Sequence, residues 1–254
     1  TFSGSGANLT GISISSDSDY NTVGGTNAGD SITSGSGLNN TLFGYDSGTA
    51  ITTGDQNTGF GSKSLQTGTT GRYQTAIGSE ALQLCTTGTL NTAVGAIAGG
   101  RLTTGQENTF VGMNAGAYVT TGSYNTAIGR MALFLNTTSH FNTALGATAL
   151  NNNTAGSNTG IGYAALTAST TGASNTAVGA NALDANTTGT GNVGIGRNAG
   201  GNVTTGVYNT LVGTGSGMAI NTGYSNTFIG RETAASTTTG TENAAVGQAA
   251  FYAA

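Results

Sequence analysis

A five-residue pattern recurs along the chain: polar Asn-Thr, a small or apolar residue, an aliphatic, then glycine, as in Asn91-Thr92-Ala93-Val94-Gly95. The opening Asn stands at positions 21, 40, 57, 91, 108, 125, 142, 158, 175, 192, 209, 226 and 243, with Gln74 in the same role. The intervals are 19, then 17 six times, 16, and 17 five times, so the chain holds fourteen copies of a 17-residue unit. Its form is N-T-x-(Ile/Val/Leu)-G-x-x-A-(Leu/Gly)-x-x-x-T-T-G-x-x, and its columns are numbered here from the Asn. Such a period marks a repeat architecture in which each unit is too small to bury a core alone and must stack on its neighbours. The unit has no helical periodicity, and its glycines penalise helix. Short strands over columns two to four and eleven to fourteen, joined by Gly and Asn turns, are predicted instead.

Each column constrains the stack. Column four is predicted to be the core column, a β-branched rank facing inward: Ile77, Val94, Val111, Ile128, Leu145, Ile161, Val178, Ile195, Val212 and Ile229, preceded by Phe43 and Phe60 and broken only by Gly24. Column five is Gly in every copy, which implies positive φ or a close backbone approach. Columns nine and twelve trade: Gly48, Gly99, Gly116 and Gly217 accompany Ile51, Leu102, Val119 and Ile220, whereas Leu82, Leu133 and Leu183 accompany Cys85, Asn136 and Asn186. Both positions are therefore expected to enter one volume with room for a single large side chain. The Asn column is expected to form a ladder serving backbone groups of the next coil. At about 4.8 Å per coil, fourteen coils make a rod of roughly 65 Å. The expected fold is all-β: a parallel β-solenoid or β-roll over residues 21–254, its last repeat incomplete, after a connector over residues 1–20. Two large aliphatics per repeat make a thin core, so a parallel homotrimer sharing the column-four seam is expected.

Composition narrows the function classes. Only 6% of the 254 residues are charged and the net charge is -4, with six Lys and Arg. Nucleic acid is excluded as an expected partner, since no basic patch can form. No apolar run is long enough to cross a membrane as a helix. The start at Thr1 without Met points to a processed product or part of a longer chain. Cys85, the single cysteine, stands where other copies carry an aliphatic and is expected to be a small buried hydrophobe.

Catalytic chemistry finds no support. His140 is alone and expected on a surface turn, so no metal set forms around it. The ten acids are scattered; Asp17, Asp19 and Asp30 are their one concentration, a weak candidate for Ca²⁺. The Gly-x-Gly runs follow the repeat rather than a phosphate loop. No enzyme activity and no cofactor are expected. Tyr73, Tyr124, Phe141 and Tyr208 share column seventeen, with Tyr224 one residue earlier in its copy. Along a rod they form an interrupted stripe offering apolar faces and hydroxyls to a glycan or receptor, or packing between chains. Asn-x-Thr triplets at Asn8, Asn39, Asn136, Asn152, Asn186 and Asn202 suit glycan attachment in a secreted setting.

The NTAVG-x-x-A-L…TTG unit resembles the repeats of bacteriophage tail fibres and related surface proteins that end in a self-cleaving chaperone domain. It is also similar to the head repeats of trimeric autotransporter adhesins, built on a Ser-Val-Ala-Ile-Gly core with a shorter period. The opening Thr1–Ile12 segment looks like a tail-fibre connector. The resemblance implies a trimeric, extracellular or virion-surface shaft that contacts a receptor or cell-surface glycan. The alternatives are a subunit of a self-assembling extracellular filament, or an ice- or surface-binding solenoid using Thr at columns two, thirteen and fourteen.

Overall fold

The computed structural model describes residues 14–234 and 239–251. Most of the expected connector, residues 1–13, lies outside them. Strand β1 (Ile14–Ser16) runs antiparallel to β2 (Thr22–Gly24), pairing Ile14 with Gly24 and Ser16 with Thr22. From β2 onward each repeat contributes one three-residue strand at columns two to four, ending with β15 (Ala244–Val246). These strands are parallel, consecutive and in register, Thr92 beside Thr109 and Val94 beside Val111, and all belong to one 15-stranded sheet. The chain is a β-solenoid with one coil per repeat.

The second predicted strand, over columns eleven to fourteen, does not form. Column twelve closes a turn instead, as Leu102 N–H donates to Gly99 O at 2.9 Å, and the extended run that follows is too short to pair as a strand. Column thirteen carries a short bond from coil to coil within that run. Thr103 N–H donates to Thr120 O at 2.8 Å, and Thr120 N–H to Thr137 O at 2.8 Å. The threonine hydroxyl adds a second bond to the same acceptor, Thr103 Oγ1 to Thr120 O at 3.0 Å.

The Asn column runs as a buried ladder. The Oδ1 of each Asn accepts the next Asn's backbone N–H, as from Asn192 N to Asn175 Oδ1 at 2.9 Å. In most coils its Nδ2 donates to the column-fifteen glycine carbonyl of its own coil, Asn175 to Gly189 O at 2.8 Å, whereas Asn125 uses Ser139 O and Asn142 uses His140 O. Gln74 maintains the rung: Asn57 Oδ1 accepts its N–H at 3.0 Å, and its Oε1 accepts from Asn91 N at 3.2 Å. Buried backbone groups at this corner are thus satisfied without water.

This ladder corrects the predicted core. Side chains alternate along a strand, so an inward column one places column three inward and columns two and four outward. Column three is the buried strand position, with Leu42, Ala93, Phe110, Ala127, Ala177, Leu211 and Phe228 fully enclosed. Column four faces out. Ile77, Ile128, Leu145, Ile195 and Ile229 are 37–43% exposed, and Val94, Val111, Ile161, Val178 and Val212 are half-buried. Columns eight, nine and twelve complete the core with Ala132, Leu133 and Val119 among others.

The expected trade between columns nine and twelve holds, and column three joins it. A Cβ on Gly48 would lie 2.9 Å from Ile51 Cδ1 and 2.7 Å from Leu42 Cδ1. All six copies with Leu in column nine carry Ala or Gly in column three: Gly59, Ala76, Ala127, Ala144, Gly160 and Ala177. Column five meets both halves of its expectation. Gly112 has φ of 126°, and a Cβ there would stand 2.8 Å from the Gly129 carbonyl of the next coil.

Candidate functional site

The outer face of the sheet presents two parallel ranks. Column two supplies Thr from Thr41 to Thr227, interrupted by Val193, and column four supplies the aliphatic rank. The column-two hydroxyls take no part in the hydrogen-bond network of the described residues, because strand geometry aims them at solvent. Phe43 and Phe60 extend the apolar rank with rings stacked at 5.1 Å and 10°. The result is a hydroxyl rank and a hydrocarbon rank running side by side from coil to coil. The sequence carried this signal in the fixed spacing of Thr and aliphatic, two residues apart.

The predicted aromatic stripe is exposed but discontinuous. Tyr73, Tyr124, Phe141, Tyr208 and Tyr224 are 44–65% exposed. Column seventeen adopts a left-handed backbone throughout, φ being 56° at Tyr73, 60° at Tyr124 and 61° at Phe141, which turns these side chains outward. The structure brings together Tyr124 and Phe141, stacked at 5.1 Å and 9°. Tyr208 lies over Gly191 in the coil before, and Tyr73 stands apart, its hydroxyl near Gln56 Nε2 at 3.5 Å.

The acidic concentration has a structural role. Asp17 takes the place of the Asn that a preceding coil would supply: its Oδ1 accepts Asn21 N–H at 2.9 Å and its Oδ2 accepts Asn21 Nδ2 at 3.0 Å. These bonds, the Asn21 side chain first, hold the Asp17 carboxyl below its ordinary range. Asp19 accepts Gly35 N–H at 2.7 Å. Among the described residues no group of three or more His, Cys, Asp or Glu is placed to hold a metal ion.

The remaining candidates are local. His140 is exposed, and its Nδ1 accepts Ser123 N–H at 3.0 Å. Cys85 is buried beside Gln74 Nε2, 3.1 Å away, and burial pushes its thiol up to about 11. Of the Asn-x-Thr triplets, Asn136 and Asn186 are enclosed and cannot receive a glycan, whereas Asn39, Asn152 and Asn202 are exposed; Asn8 lies outside the described residues. No helix among the described residues is long and apolar enough to cross a membrane.

The fold defines the class: a single-sheet parallel β-solenoid repeat protein. Comparison with protein-family models, curated proteins and solved structures finds no match to the chain.

Proposed function

We propose that this chain is the shaft of a trimeric, receptor-contacting fibre projecting from a virion or cell surface, with no catalytic role. The outward column-four rank carries this reading. Thirteen successive coils, from Phe43 to Val246, place an apolar side chain at one height on one face. A contiguous apolar strip of that length is more than a soluble monomer ordinarily leaves open, and it marks an interaction surface. Three copies set around an axis parallel to the rod bury the strip symmetrically, each supplying the same residues. The trimer therefore retains the predicted column-four seam, now as a contact between chains. The tail-fibre and adhesin resemblance supports the same arrangement.

A second reading rests on the same strip. Ranks of free hydroxyls beside hydrocarbon, repeated in register from coil to coil, suit an ordered water lattice. The two readings exclude each other, because a seam covers the strip. Light scattering on the purified chain separates them: three times the 24.7 kDa chain mass is expected for the fibre. A monomer with thermal hysteresis overturns it in favour of ice binding. An open-ended series of masses overturns it in favour of a filament.

A further inference from the structure

One stretch of the rod breaks its own regularity on a face that shares no residue with columns two and four. In column ten of four consecutive coils the residues run Gln83, Gly100, Ala117, Phe134. Two large side chains bracket two coils that have almost none, leaving a trough about 10 Å long at 4.8 Å per coil. Glu80, Ile97 and Asn114 of column seven form one wall, and Leu84, Arg101 and Tyr118 of column eleven form the other. The half-open trough has a volume of about 630 Å³, inside the range of small-ligand sites.

The column-eleven wall is ordered. The Arg101 guanidinium sits 4.3 Å from the Tyr118 ring centre, and Tyr118 meets Phe134 edge to face at 4.8 Å. This stack of a cation and two rings fixes three long side chains that solvent would otherwise leave mobile. The polar groups are largely uncommitted. The side chains of Glu80, Arg101 and Asn114 make no hydrogen bond or ion pair among the described residues. Gln83 uses its Nε2 on Gln66 Oε1 at 2.8 Å, leaving its own Oε1 free. Column ten is also open at Gly100 for want of any Cβ, which would press on Ile97 Cγ2 at 2.9 Å.

We propose that this trough binds a neutral mono- or disaccharide unit of a surface glycan. A carboxylate and a guanidinium on opposite walls leave no net charge to select an anion or a cation. Together they accept from and donate to neighbouring hydroxyls, the arrangement a sugar ring presents. Leu84, Ile97 and the Tyr118–Phe134 pair supply apolar surface for the C–H face of the ring. The assignment deepens the receptor-contacting part of the fibre reading and rests on it. It also moves the glycan contact away from the predicted column-seventeen aromatics.

The test is calorimetric titration of the whole chain with lactose, maltose, cellobiose and diacetylchitobiose, with sialyllactose as the charged comparison. At least one neutral disaccharide is expected to bind in the millimolar range or tighter, and Glu80→Ala and Arg101→Ala each to weaken it about tenfold without lowering the melting temperature. If either variant melts early, the Ala117 methyl and Tyr118 ring resonances of the unaltered protein decide: they shift on titration if the trough is the site. No binding by any neutral disaccharide, binding unchanged in both variants, unmoved Ala117 and Tyr118 signals, or tighter binding of sialyllactose overturns the proposal. A trimeric mass with any of these results removes the trough alone and leaves the shaft reading standing.

Discussion

Column nine shows how a single residue balances strain against burial. Leu133, Leu150 and Leu183 adopt φ of 53°, 50° and 49°, a left-handed conformation that costs a side-chain-bearing residue roughly 1–2 kcal/mol. Enclosing a leucine contributes about 1.5–3 kcal/mol, so burial outweighs the strain where columns three and twelve leave space. Where Phe110 or Leu42 fills that space, glycine stands in column nine. Column five allows no such exchange. Gly129→Ala places a Cβ 2.6 Å from the Gly146 carbonyl at φ of 133° and is expected to destabilise by about 3 kcal/mol or more. Gly247→Ala, whose Cβ among the described residues meets only Ala250 at 3.9 Å, should cost less, as compared by denaturant midpoints. Two buried asparagines provide a second contrast. Asn175→Ala strips partners from Gly189 O and Asn192 N–H and should cost about 3 kcal/mol. Asn186 has both amide atoms buried without partners, so Asn186→Ala should be neutral or stabilising by up to about 1 kcal/mol. A loss as large as that of Asn175→Ala in the same denaturation series would refute this.

At the scale of the coil, the ladder needs a first rung, and Asp17 provides it. Its folded pKa is depressed, so its contribution is fully present above the ordinary aspartate value, about 3.9, and is lost as pH falls through the lower folded value. Protection of the Asn21 and Thr22–Gly24 amides, taken relative to intrinsic exchange at each pH, is therefore expected to fall on acidification below about pH 4. Asp17→Asn should remove that acid step, whereas an unchanged step would assign it to another group. The solenoid, the single-coil repeat, the Asn ladder, the glycine stack and the column-nine trade were all legible in the sequence, because each is a constraint repeated in twelve or more of the fourteen copies. The direction of column four was not. A three-residue strand is too short for alternation to announce its inner face, and hydrophobicity alone favoured Ile77 or Val178 over Ala76 or Ala177. The deciding clue was the pairing of small column-three residues with Leu in column nine, read together with the parity of the buried Asn. The trough of coils four to seven is not legible in the repeat, because the column-ten residues Gln83, Gly100, Ala117 and Phe134 that shape it follow no shared pattern.

For the whole molecule, the outward rank makes one substitution diagnostic. Val178 is half-buried on the outer face of the chain, so Val178→Asp should alter an isolated coil stack by little more than about 0.5 kcal/mol. In a shared seam the same carboxylate is enclosed without a partner and should dissociate the assembly, removing about 3–5 kcal/mol. Light scattering on the variant reads the difference: a trimer of unchanged mass and melting temperature would rule out the column-four seam. Ala177→Asp, one residue inward, is expected to unfold its coil in either state.

The uneven intervals carry a consequence for how such a chain changes over generations. The 19-residue first repeat and the 16-residue eighth (residues 142–157) keep their strands in register, Thr22 beside Thr41 and Thr143 beside Thr159. The gain and the loss both fall between column twelve and the next Asn, where the backbone is already turning. Replication slippage that copies or drops a whole unit therefore meets no structural penalty beyond the coil itself, and small indels in that one segment are absorbed. The gene can lengthen or shorten its product in steps of one coil, so the reach of the rod is an inheritable dial that can be turned without redesigning any part of it.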